Sequence, residues 1–532
     1  MIVTFLGATH EVTGSCSYLR AGDKQGLVDY GMQQGRDLFE NEGLPVAAAE
    51  LDFVLLTHAH IDHSGLLPLL YKQGFRGPVY TSAATASLVS IMLRDSANIQ
   101  VSEAEWRNRK GKRSGDVEIE PLYDLDDAEG ALSLLRPVDY GQIVQLNEAF
   151  TVRLTDVGHL LGSAAIEIWM TENGETRKIT FSGDIGNLNQ PILRDPQFVK
   201  DTEYLVIEST YGDREHSGER VDYVAELASR IQRTLDRGGN VVIPSFAVGR
   251  SQEMLYFLRE IQERGLVKGH GDFPVYMDSP LAIEATSVFL QCDTDYLDRD
   301  MQELIRSGVN PIVFPGLKLA VSSEESKAIN TDDTPKVIIS ASGMCDAGRV
   351  RHHLKHNLWR PESLILFVGY QSEGTLGRIL IDGASSVKLF DEKIQVRAEI
   401  SVLPGVSGHA DRSGLLRWLG GFEEKPKLVF VNHGDPDSAD AFAATLEGMG
   451  YRAMAPYSGT TFDLLSGSFT RVPEPRPIEK KSGASKANAV FSRLITACER
   501  LLRAAKKLEG HANKELASFA DQVTKLAEKM EK

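Results

Sequence analysis

The sequence has few cysteines and no long apolar segment. Its four cysteines lie far apart and form no Cys-x-x-Cys pair, which excludes a disulfide framework and a cysteine-rich zinc site. The apolar runs, such as 364–368, fall far short of the roughly 20 residues that a membrane helix needs. The amino terminus lacks the basic segment typical of a signal peptide. We therefore expect a cytoplasmic protein with no membrane partner.

The chain also lacks an excess of positive charge. It has 58 Lys and Arg residues against 74 Asp and Glu residues, a formal net charge of −16. Coating nucleic acid or anionic membrane by bulk charge needs clustered cations, so that class of function is excluded. An enzyme with a local basic groove is still compatible with this balance. The basic segment 107–115 (RNRKGKRSG) is expected to form a loop, either solvated or facing a substrate.

Short apolar runs alternate with helical patterns along most of the chain. Runs of four to six residues flanked by Gly, Pro, Asp or Ser indicate buried strands. They lie at 53–56, 178–181, 204–207, 240–243, 274–277, 336–339, 363–368 and 427–431. Helical patterns such as 222–235 and 250–263 separate several of them, which predicts an α/β fold. Polar residues follow these runs directly, and α/β folds bind ligands at the carboxyl ends of their strands.

The densest group of polar residues is His58-Ala-His60-Ile-Asp62-His63, one Thr after a predicted strand. Three imidazoles and a carboxylate within six residues would need many partners if they were buried without a metal. The alternating pattern suits two cations, with His58 and His60 directed to one and Asp62 and His63 to the other. Imidazole and carboxylate ligands favour zinc, with manganese or iron as alternatives.

Two later residues supply further candidate ligands. His159 lies in a loop of small residues, and Asp184 follows a predicted strand. A lone His or Asp at such a place is more often structural, but these two follow a chain segment that already suits two metals. A carboxylate can bridge two cations, so Asp184 is the candidate for the shared ligand.

These residues together resemble the metallo-β-lactamase superfamily. Asp29 matches its first motif, which orients the metal-binding loop, and the residues 58–63, His159 and Asp184 match the next three. The resemblance implies an αββα sandwich with an inserted α/β cap domain of the β-CASP type. It implies a first part of the sandwich at 1–206, a cap at 207–385, a second part at 386–468 and a linker with a helical tail at 469–532.

Later motifs are similar to those of the β-CASP group of nucleases. Glu208, in VIESTYG, matches motif A, and the segments 244–253 and 277–280 match the cap. Residues 369–377 lie in the region of motif B. His409, in GVSGHAD, matches motif C, whose His is a metal ligand and is typical of RNA-directed members. The chain looks closer to the 3′-end cleavage subunit of the eukaryotic cleavage and polyadenylation factor than to ribonuclease J, so we expect single-stranded RNA as the partner.

The resemblance also implies a ligand set and a mechanism: two Zn²⁺ ions, or Mn²⁺ or Fe²⁺, and RNA hydrolysis by a metal-bridged hydroxide. The expected ligands are His58, His60 and His159 for metal one, Asp62, His63 and His409 for metal two, and Asp184 for both. Asp62 is also a candidate for orienting the hydroxide, and Glu208 for orienting a catalytic group. The eukaryotic subunit has a His after its Gly-Thr-Leu stretch, which this chain lacks. His433 is therefore open to two roles, general acid or orienting residue.

Seven residues of the expected cap are candidates for RNA phosphate contacts, because small turns expose backbone N–H groups and arginine binds phosphate through two bonds. They are Arg250, Ser340, Ser342, Gly343, Arg349, Lys355 and Arg378. A structural role is the alternative for each of them.

Endonucleolytic cleavage of RNA is the favoured function. A 5′-exoribonuclease with the same metals, a catalytically silent RNA-binding scaffold and a hydrolase of small thioesters or lactams are the alternatives. The expected tail carries apolar residues at alternating spacings of four and three from Leu494 onward. Such a pattern predicts helices that pack on the body or join copies of the chain as a homo-oligomer.

Overall fold

The computed structural model describes residues 1–34, 38–111, 118–216, 221–372, 374–403, 405, 407–478, 517 and 519–525. The chain divides into two compact units, Met1–Arg476 and Pro477–Lys532. Most of the expected linker and helical tail lies outside the described residues, so its proposed roles stay predictions. No helix in the described part is long and apolar enough to cross a membrane.

The strands of the first unit form three main sheets and one hairpin. The strands are β1 (Ile2–Gly7), β2 (Cys16–Ala21), β3 (Lys24–Val28), β4 (Phe53–Leu55), β5 (Val79–Thr81), β6 (Leu135–Pro137), β7 (Ile143–Gln145), β8 (Phe150–Asp156), β9 (Ala164–Glu172), β10 (Glu175–Phe181), β11 (Tyr204–Glu208), β12 (Val241–Pro244), β13 (Val275–Met277), β14 (Leu317–Leu319), β15 (Val337–Ser340), β16 (Leu364–Phe367), β17 (Ser386–Leu389), β18 (Glu392–Gln395), β19 (Glu399–Val402), β20 (Leu428–Asn432), β21 (Ala453–Met454), β22 (Thr461–Asp463) and β23 (Ser468–Arg471).

Helices connect and cover these sheets. The helices are α1 (Ile61–Ser64), α2 (Leu67–Lys72), α3 (Ala83–Gly111), α4 (Leu125–Leu132), α5 (Tyr223–Asp236), α6 (Arg250–Glu263), α7 (Pro280–Gln291), α8 (Arg299–Arg306), α9 (Ser323–Thr331), α10 (Val350–Asn357), α11 (Leu376–Ile381), α12 (Arg412–Leu419) and α13 (Pro436–Gly448). The predicted helix at 250–263 is present with those bounds, and that at 222–235 is shifted by one residue because the Asp222 side chain caps its first turn.

Two sheets face each other in the part of the chain that carries the first motifs. One has the order β23-β22-β1-β2-β3-β4-β5-β6, and the other β21-β20-β11-β10-β9-β8-β7. In β8 the side chains alternate between buried and half-buried, so one face of that strand enters the core. Aromatic contacts join the sheets, for example Phe5 with Phe430 at 4.8 Å between ring centroids. Helices α2, α3 and α4 pack outside the first sheet and α12 and α13 outside the second, which confirms the αββα sandwich.

The third sheet forms the cap. Its six strands run in the order β14-β13-β15-β12-β16-β19, and every neighbouring pair is parallel. Helices α5, α6 and α7 cover one face, and α9, α10 and α11 cover the other. A parallel sheet buried on both faces explains why its strands are apolar runs without alternation. Because β19 hydrogen-bonds to β16 at residues 399–402, this sheet extends past the expected cap boundary at 385.

The basic segment 107–115 differs from the prediction of a loop. Residues 107–111 are the last turn of α3, and 112–117 lie outside the described residues. Arg107 pairs with Glu103 one turn earlier, at 3.3 Å. The Asn108 side chain exchanges two hydrogen bonds with the backbone of Ile119, at 2.9 and 2.7 Å. These local contacts extend the helix into a segment whose Gly and charges indicated a loop.

Candidate metal centre

The motif residues meet where strands of the two facing sheets end. His58 and His60 follow β4, and the short helix α1 carries Asp62 and His63. The others come from the second sheet: His159 after β8, Asp184 after β10, Glu208 at the end of β11 and His433 after β20. His60 and Asp62 are half-buried and the remaining side chains of this group are buried. Residues distant in the chain thus form one buried polar cluster, here called the metal centre.

One part of the metal centre consists of His58, His60, His159 and Asp184, whose ligand atoms all lie within 4.8 Å of one another. His60 Nδ1 is 3.1 Å from His58 Nε2 and 3.2 Å from His159 Nε2. Oδ2 of Asp184 is 3.4 Å from His58 Nε2 and 3.5 Å from His159 Nε2. The four residues expected around metal one are therefore together.

The second part consists of Asp62, His63 and His433, again with ligand atoms within 4.8 Å. His63 Nε2 is 3.1 Å from His433 Nε2, and Asp62 Oδ2 is 3.7 Å from the same atom. Asp184 turns its other oxygen to this group, with Oδ1 3.4 Å from His63 Nε2 and 3.5 Å from His433 Nδ1. The two oxygens of one carboxylate thus face the two groups.

His409 does not lie where the sequence prediction put it. Its Nδ1 donates to Glu208, at 3.1 Å from Oε2, and is 4.0 Å from Asp184 Oδ2. His433 holds the place expected for His409 beside Asp62 and His63. The physical reason is sheet order: His433 follows β20, which pairs with β11 in the middle of the sheet. His409 lies in a loop outside the strands, where it forms an isolated bridge with Gly186.

Side chains outside the two groups orient the imidazoles. Asp29 accepts a hydrogen bond from His63 Nδ1 at 2.7 Å and another from the Thr57 backbone N–H at 2.8 Å. The Thr57 hydroxyl lies 3.1 Å from His58 Nδ1. With the outer nitrogen of each ring engaged, the inner nitrogen is directed into the centre. These contacts are the ones that the predicted orienting role of Asp29 requires, and Thr57, two residues after β4, makes a similar contact.

Two further supports were missed in the sequence. The backbone carbonyl of Gly408 accepts a hydrogen bond from His159 Nδ1 at 3.0 Å. The hydroxyl of Thr210 lies 3.2 Å from His433 Nδ1. Every residue has a backbone carbonyl, so the contact of Gly408 could not be predicted from the sequence. Thr210 belongs to the VIESTYG segment that carries Glu208, and this position beside a predicted site residue could have identified it.

Burial and neighbouring charges shift the pKa values of the histidines of the metal centre in different directions. Burial lowers the pKa of His58 and of His159 well below the ordinary value, and nearby imidazoles lower it further. These two rings are therefore neutral, with lone pairs available to a cation. Burial also lowers the pKa of His63, but Asp184 and Asp29 outweigh it and raise it well above the ordinary value.

Asp62 and Asp184, the two aspartates of the centre, are ionised. Burial alone would raise the pKa of Asp62, but a hydrogen bond from His433 and the charge of His63 lower it to about 2. The pKa of Asp184 is likewise held well below its usual range by the surrounding imidazoles, against the effect of burial. Oδ1 of Asp184 is buried and has no hydrogen-bond partner within the described chain. A buried ionised oxygen in that state suits a cation.

The cations predicted to contact RNA pair with carboxylates of the cap. Arg349 donates to Asp278 at 2.7 Å and to the carbonyls of Ala320 and Val321 at 3.0 and 2.7 Å. These bonds hold N–H groups of Arg349 within the protein, and its contact with RNA phosphate stays a prediction. The other pairs are Arg250 with Glu253, Lys355 with Glu392 and Arg378 with Asp382.

The small residues of the set lie together at the carboxyl end of β15, whose last residue is Ser340. Ser340 is buried and its hydroxyl donates to the carbonyl of Asp278 at 2.8 Å. Ser342 is half-buried, and the carbonyl of Gly343 accepts a hydrogen bond from the Gln371 side chain at 3.0 Å. Ser340 therefore supports the turn, whereas the backbone at 342–343 lies at the edge where α/β sheets bind ligands.

Comparisons with known proteins agree with this geometry. Three family models match: a metallo-beta-lactamase superfamily domain at residues 19–206, a Beta-Casp domain at 251–380 and a Zn-dependent metallo-hydrolase RNA specificity domain at 393–456. The chain is 38% identical over 448 residues to "Ribonuclease TTHA0252" of Thermus thermophilus, covering 84% of this chain and 95% of the relative. It belongs to the β-CASP family of metallo-hydrolases. The resemblance found in its motifs is confirmed.

Two further relatives share a different name. "Transcription termination factor FttA" of Methanocaldococcus jannaschii is 31% identical over 456 residues, covering 84% of this chain and 68% of the relative. FttA of Methanosarcina mazei is 31% identical over 459 residues with the same coverage. Both histidines whose places differ from the prediction, His409 and His433, lie within the match to the RNA specificity domain.

Proposed function

We propose that this β-CASP metallo-hydrolase is a ribonuclease that hydrolyses phosphodiester bonds of single-stranded RNA, and that it cuts within the chain. The observation that carries the proposal is the placement of Asp184, whose two oxygens face two separate groups of imidazole and carboxylate ligands. The match to an RNA specificity domain and the name of the Thermus relative support RNA as the substrate.

The residues of the metal centre fit two divalent cations. Their donors are imidazole nitrogens and carboxylate oxygens, the set that zinc prefers, with manganese or iron as alternatives. His58, His60 and His159 would hold one cation, Asp62, His63 and His433 the other, and Asp184 both. When bound, the two cations would activate a water molecule and neutralise charge on the phosphate. In this assignment His433 is a ligand, not the general acid.

His409 and Glu208 would supply the proton for the leaving group. Burial lowers the pKa of His409, but the adjacent Glu208 outweighs this and raises it to about 9. The ring would then carry a proton at neutral pH, with Nδ1 held by Glu208 and Nε2 as the donor. The water releases one proton to solvent as its oxygen bonds to phosphorus. The bond to the leaving oxygen breaks, that oxygen takes the proton from His409 Nε2, and solvent then reprotonates the ring. Glu208 would position the ring.

Cleavage of labelled RNA tests the proposal. The purified protein, loaded with Zn²⁺, is incubated with linear and circular single-stranded RNA and with DNA of the same sequence. We expect both RNA forms to be cut and DNA to be spared. Cleavage of only the linear RNA would instead favour a 5′-exoribonuclease, because a circle has no end. Binding of RNA without any cleavage would favour a silent scaffold.

Asp184→Ala is the variant for this experiment, and metal content is measured on the same samples. We expect the variant to lose bound metal and RNA cleavage together. Asp278→Ala is the matched control, since Asp278 is also a buried carboxylate that follows a strand, in the cap. It should keep its metal and its activity. Wild-type cleavage by Asp184→Ala without metal would overturn the mechanism.

A further inference from the structure

Two aromatic side chains are exposed at the carboxyl end of the cap sheet. Phe246 follows β12 and Tyr370 follows β16, and these strands are neighbours in the sheet. Phe246 is 42% exposed and Tyr370 51%, whereas the residues of both strands are buried. A single exposed aromatic residue needs no explanation. A pair at the edge where parallel sheets bind ligands does.

The backbone beneath each ring is held by buried polar groups. Ser251 donates to the carbonyl of Phe246 through its hydroxyl at 2.7 Å. The amide of Gln371, which is buried, donates to the carbonyls of Gly343, Gly369 and Tyr370 at 3.0, 3.2 and 3.0 Å. The loops after β15 and β16 are thus tied together by one side chain. The rings are exposed on a fixed backbone, which lowers the entropy lost when a ligand binds them.

Glycines border the Phe246 ring. A methyl group placed at Gly343 would lie 3.2 Å from Cδ2 of this ring, and one at Gly369 would lie 3.5 Å from its Cε2. A side chain at Gly343 would crowd the ring, so the glycine keeps space for it. The sequence predicts a phosphate contact for Gly343. In the structure, the absence of a side chain at this residue leaves the ring of Phe246 accessible.

Contacts link the loops of both aromatic residues to residues beside the metal centre. The loop that carries Phe246 reaches Gly249, where an added methyl would lie 3.2 Å from Leu160 Cδ1, and Leu160 is adjacent to His159. Burial raises the pKa of Tyr211, and the nearby Tyr370 raises it further. The ring of Tyr211 in turn lies 6.1 Å from that of His409. An RNA strand with a phosphate in the centre that extends toward the cap would therefore meet the loops that carry these rings.

We propose that Phe246 and Tyr370 stack on bases of single-stranded RNA beside the scissile phosphate, an inference that rests on the proposed function. Every base has an apolar face, so aromatic stacking binds single strands with little sequence preference. The protein carries a net charge of −16, and the four cations expected to bind RNA pair with carboxylates. Stacking supplies affinity that charge does not.

Equilibrium binding of a fluorescent RNA tests the inference. The probe is single-stranded phosphorothioate RNA with one 2-aminopurine base, whose fluorescence is quenched when it stacks. The variants are Phe246→Leu and Tyr370→Leu, because leucine keeps apolar bulk and removes the aromatic face. We expect each variant to weaken binding about tenfold and to lose quenching. Phe246→Trp and Tyr370→Phe should retain both.

Trp359→Leu is the matched control. Trp359 is 53% exposed and precedes β16, at the opposite end of the strand from Tyr370. The Trp359→Leu variant should bind the probe and quench its fluorescence like the unchanged protein. Three results would overturn the stacking. They are quenching in Phe246→Leu and Tyr370→Leu as strong as in the unchanged protein, a loss of quenching in Trp359→Leu as large as in those two variants, and no quenching by the unchanged protein.

Cleavage of ordinary RNA is followed in parallel, so that the two proposals fail separately. If the unchanged protein quenches the probe but cuts no RNA, the proposed function is contradicted and the stacking stands. If it cuts RNA and the leucine variants bind as tightly as it does, the stacking alone is contradicted. The rings would then suit an apolar side chain of a partner protein.

Discussion

The part of the chain that the structure describes contains a buried cluster of histidine and aspartate in the cap as well as the metal centre, and the two differ in how their polar atoms are paired. In the cap, His353 Nε2 donates to Asp278 at 2.6 Å, and its Nδ1 lies 2.9 Å from Asn330 Oδ1. The other oxygen of Asp278 accepts from Arg349 at 2.7 Å. Each nitrogen of the ring therefore meets an oxygen, and each oxygen of the carboxylate meets a donor.

The metal centre uses the same residue types in the opposite way. His63 donates its Nδ1 proton to Asp29, so its other nitrogen, Nε2, is directed into the centre, 3.1 Å from His433 Nε2. Asp184 Oδ1 has no hydrogen-bond partner in the described chain. Ring nitrogens that face one another beside an unbonded carboxylate oxygen are unfavourable unless a cation, either a proton or a metal ion, lies among them. Residue type alone therefore does not separate a structural cluster from a metal site, but the pairing of its atoms does.

Loss of His433 should separate the two clusters most strongly. His433→Ala removes a ligand from the second group of the metal centre, so we expect the loss of one metal equivalent and a roughly thousandfold drop in RNA cleavage. Metal analysis and single-turnover cleavage measure this. His353→Ala, in the cap, is the control and should keep both metals. Full metal content in His433→Ala would return this residue to the catalytic role left open by the sequence.

His409→Ala should have a smaller effect of a different kind. If His409 is the proton donor held by Glu208, its loss should slow cleavage about a hundredfold and leave the metal content unchanged. The same two measurements apply, with an RNA whose leaving group is a better-departing phenolate as the control substrate. That substrate should be cut by the variant at nearly the unchanged rate. Loss of a metal equivalent would support the ligand role first predicted for His409.

Asp29→Asn should affect the metal centre through orientation. Asparagine retains the shape but cannot accept from both His63 and Thr57 as a carboxylate does, so we expect metal affinity to fall about tenfold. Competition with a chromogenic chelator measures it. Asp52→Asn is the matched control, since Asp52 also accepts a backbone hydrogen bond, from Gln25 at 2.8 Å. Equal affinities in the two variants would exclude the orienting role.

The sequence alone predicted which side chains lie together where those residues are close in the chain. Residues 58–63 lie within one loop and the first turn of α1, so their pattern alone placed them together. Local spacing could not decide between His409, in a loop of small residues, and His433, directly after β20, because both lie far along the chain from Asp62 and His63. Their places depend on which strand lies beside β11, a property of sheet order. The hydrogen bonds of Arg349 to the carbonyls of Ala320 and Val321 could not be predicted from the sequence either, because they depend on the folded path of the chain.

The smallest expected effect concerns the cap cluster and acid. Burial raises the pKa of Asp278, but hydrogen bonds from His353, Ser326 and Arg349 outweigh it and hold the pKa below the ordinary value of 3.8. A carboxyl group with a lowered pKa stabilises the fold above its unfolded pKa, and the stabilisation is lost as pH falls through the folded pKa. Asp278→Asn should therefore lower the free energy of unfolding by about 2 kcal/mol at neutral pH.

Urea unfolding of both proteins from pH 7 downward measures this difference. It should stay constant to about pH 4 and shrink below it. The metal centre also protonates in acid, but it does so in both proteins, so subtraction removes its contribution. A difference that persists unchanged at pH 3 would mean that Asp278 acts through packing and not through its charge. Loss of bound metal in Asp278→Asn would mean that the two clusters are coupled, and that the contrast between them is wrong.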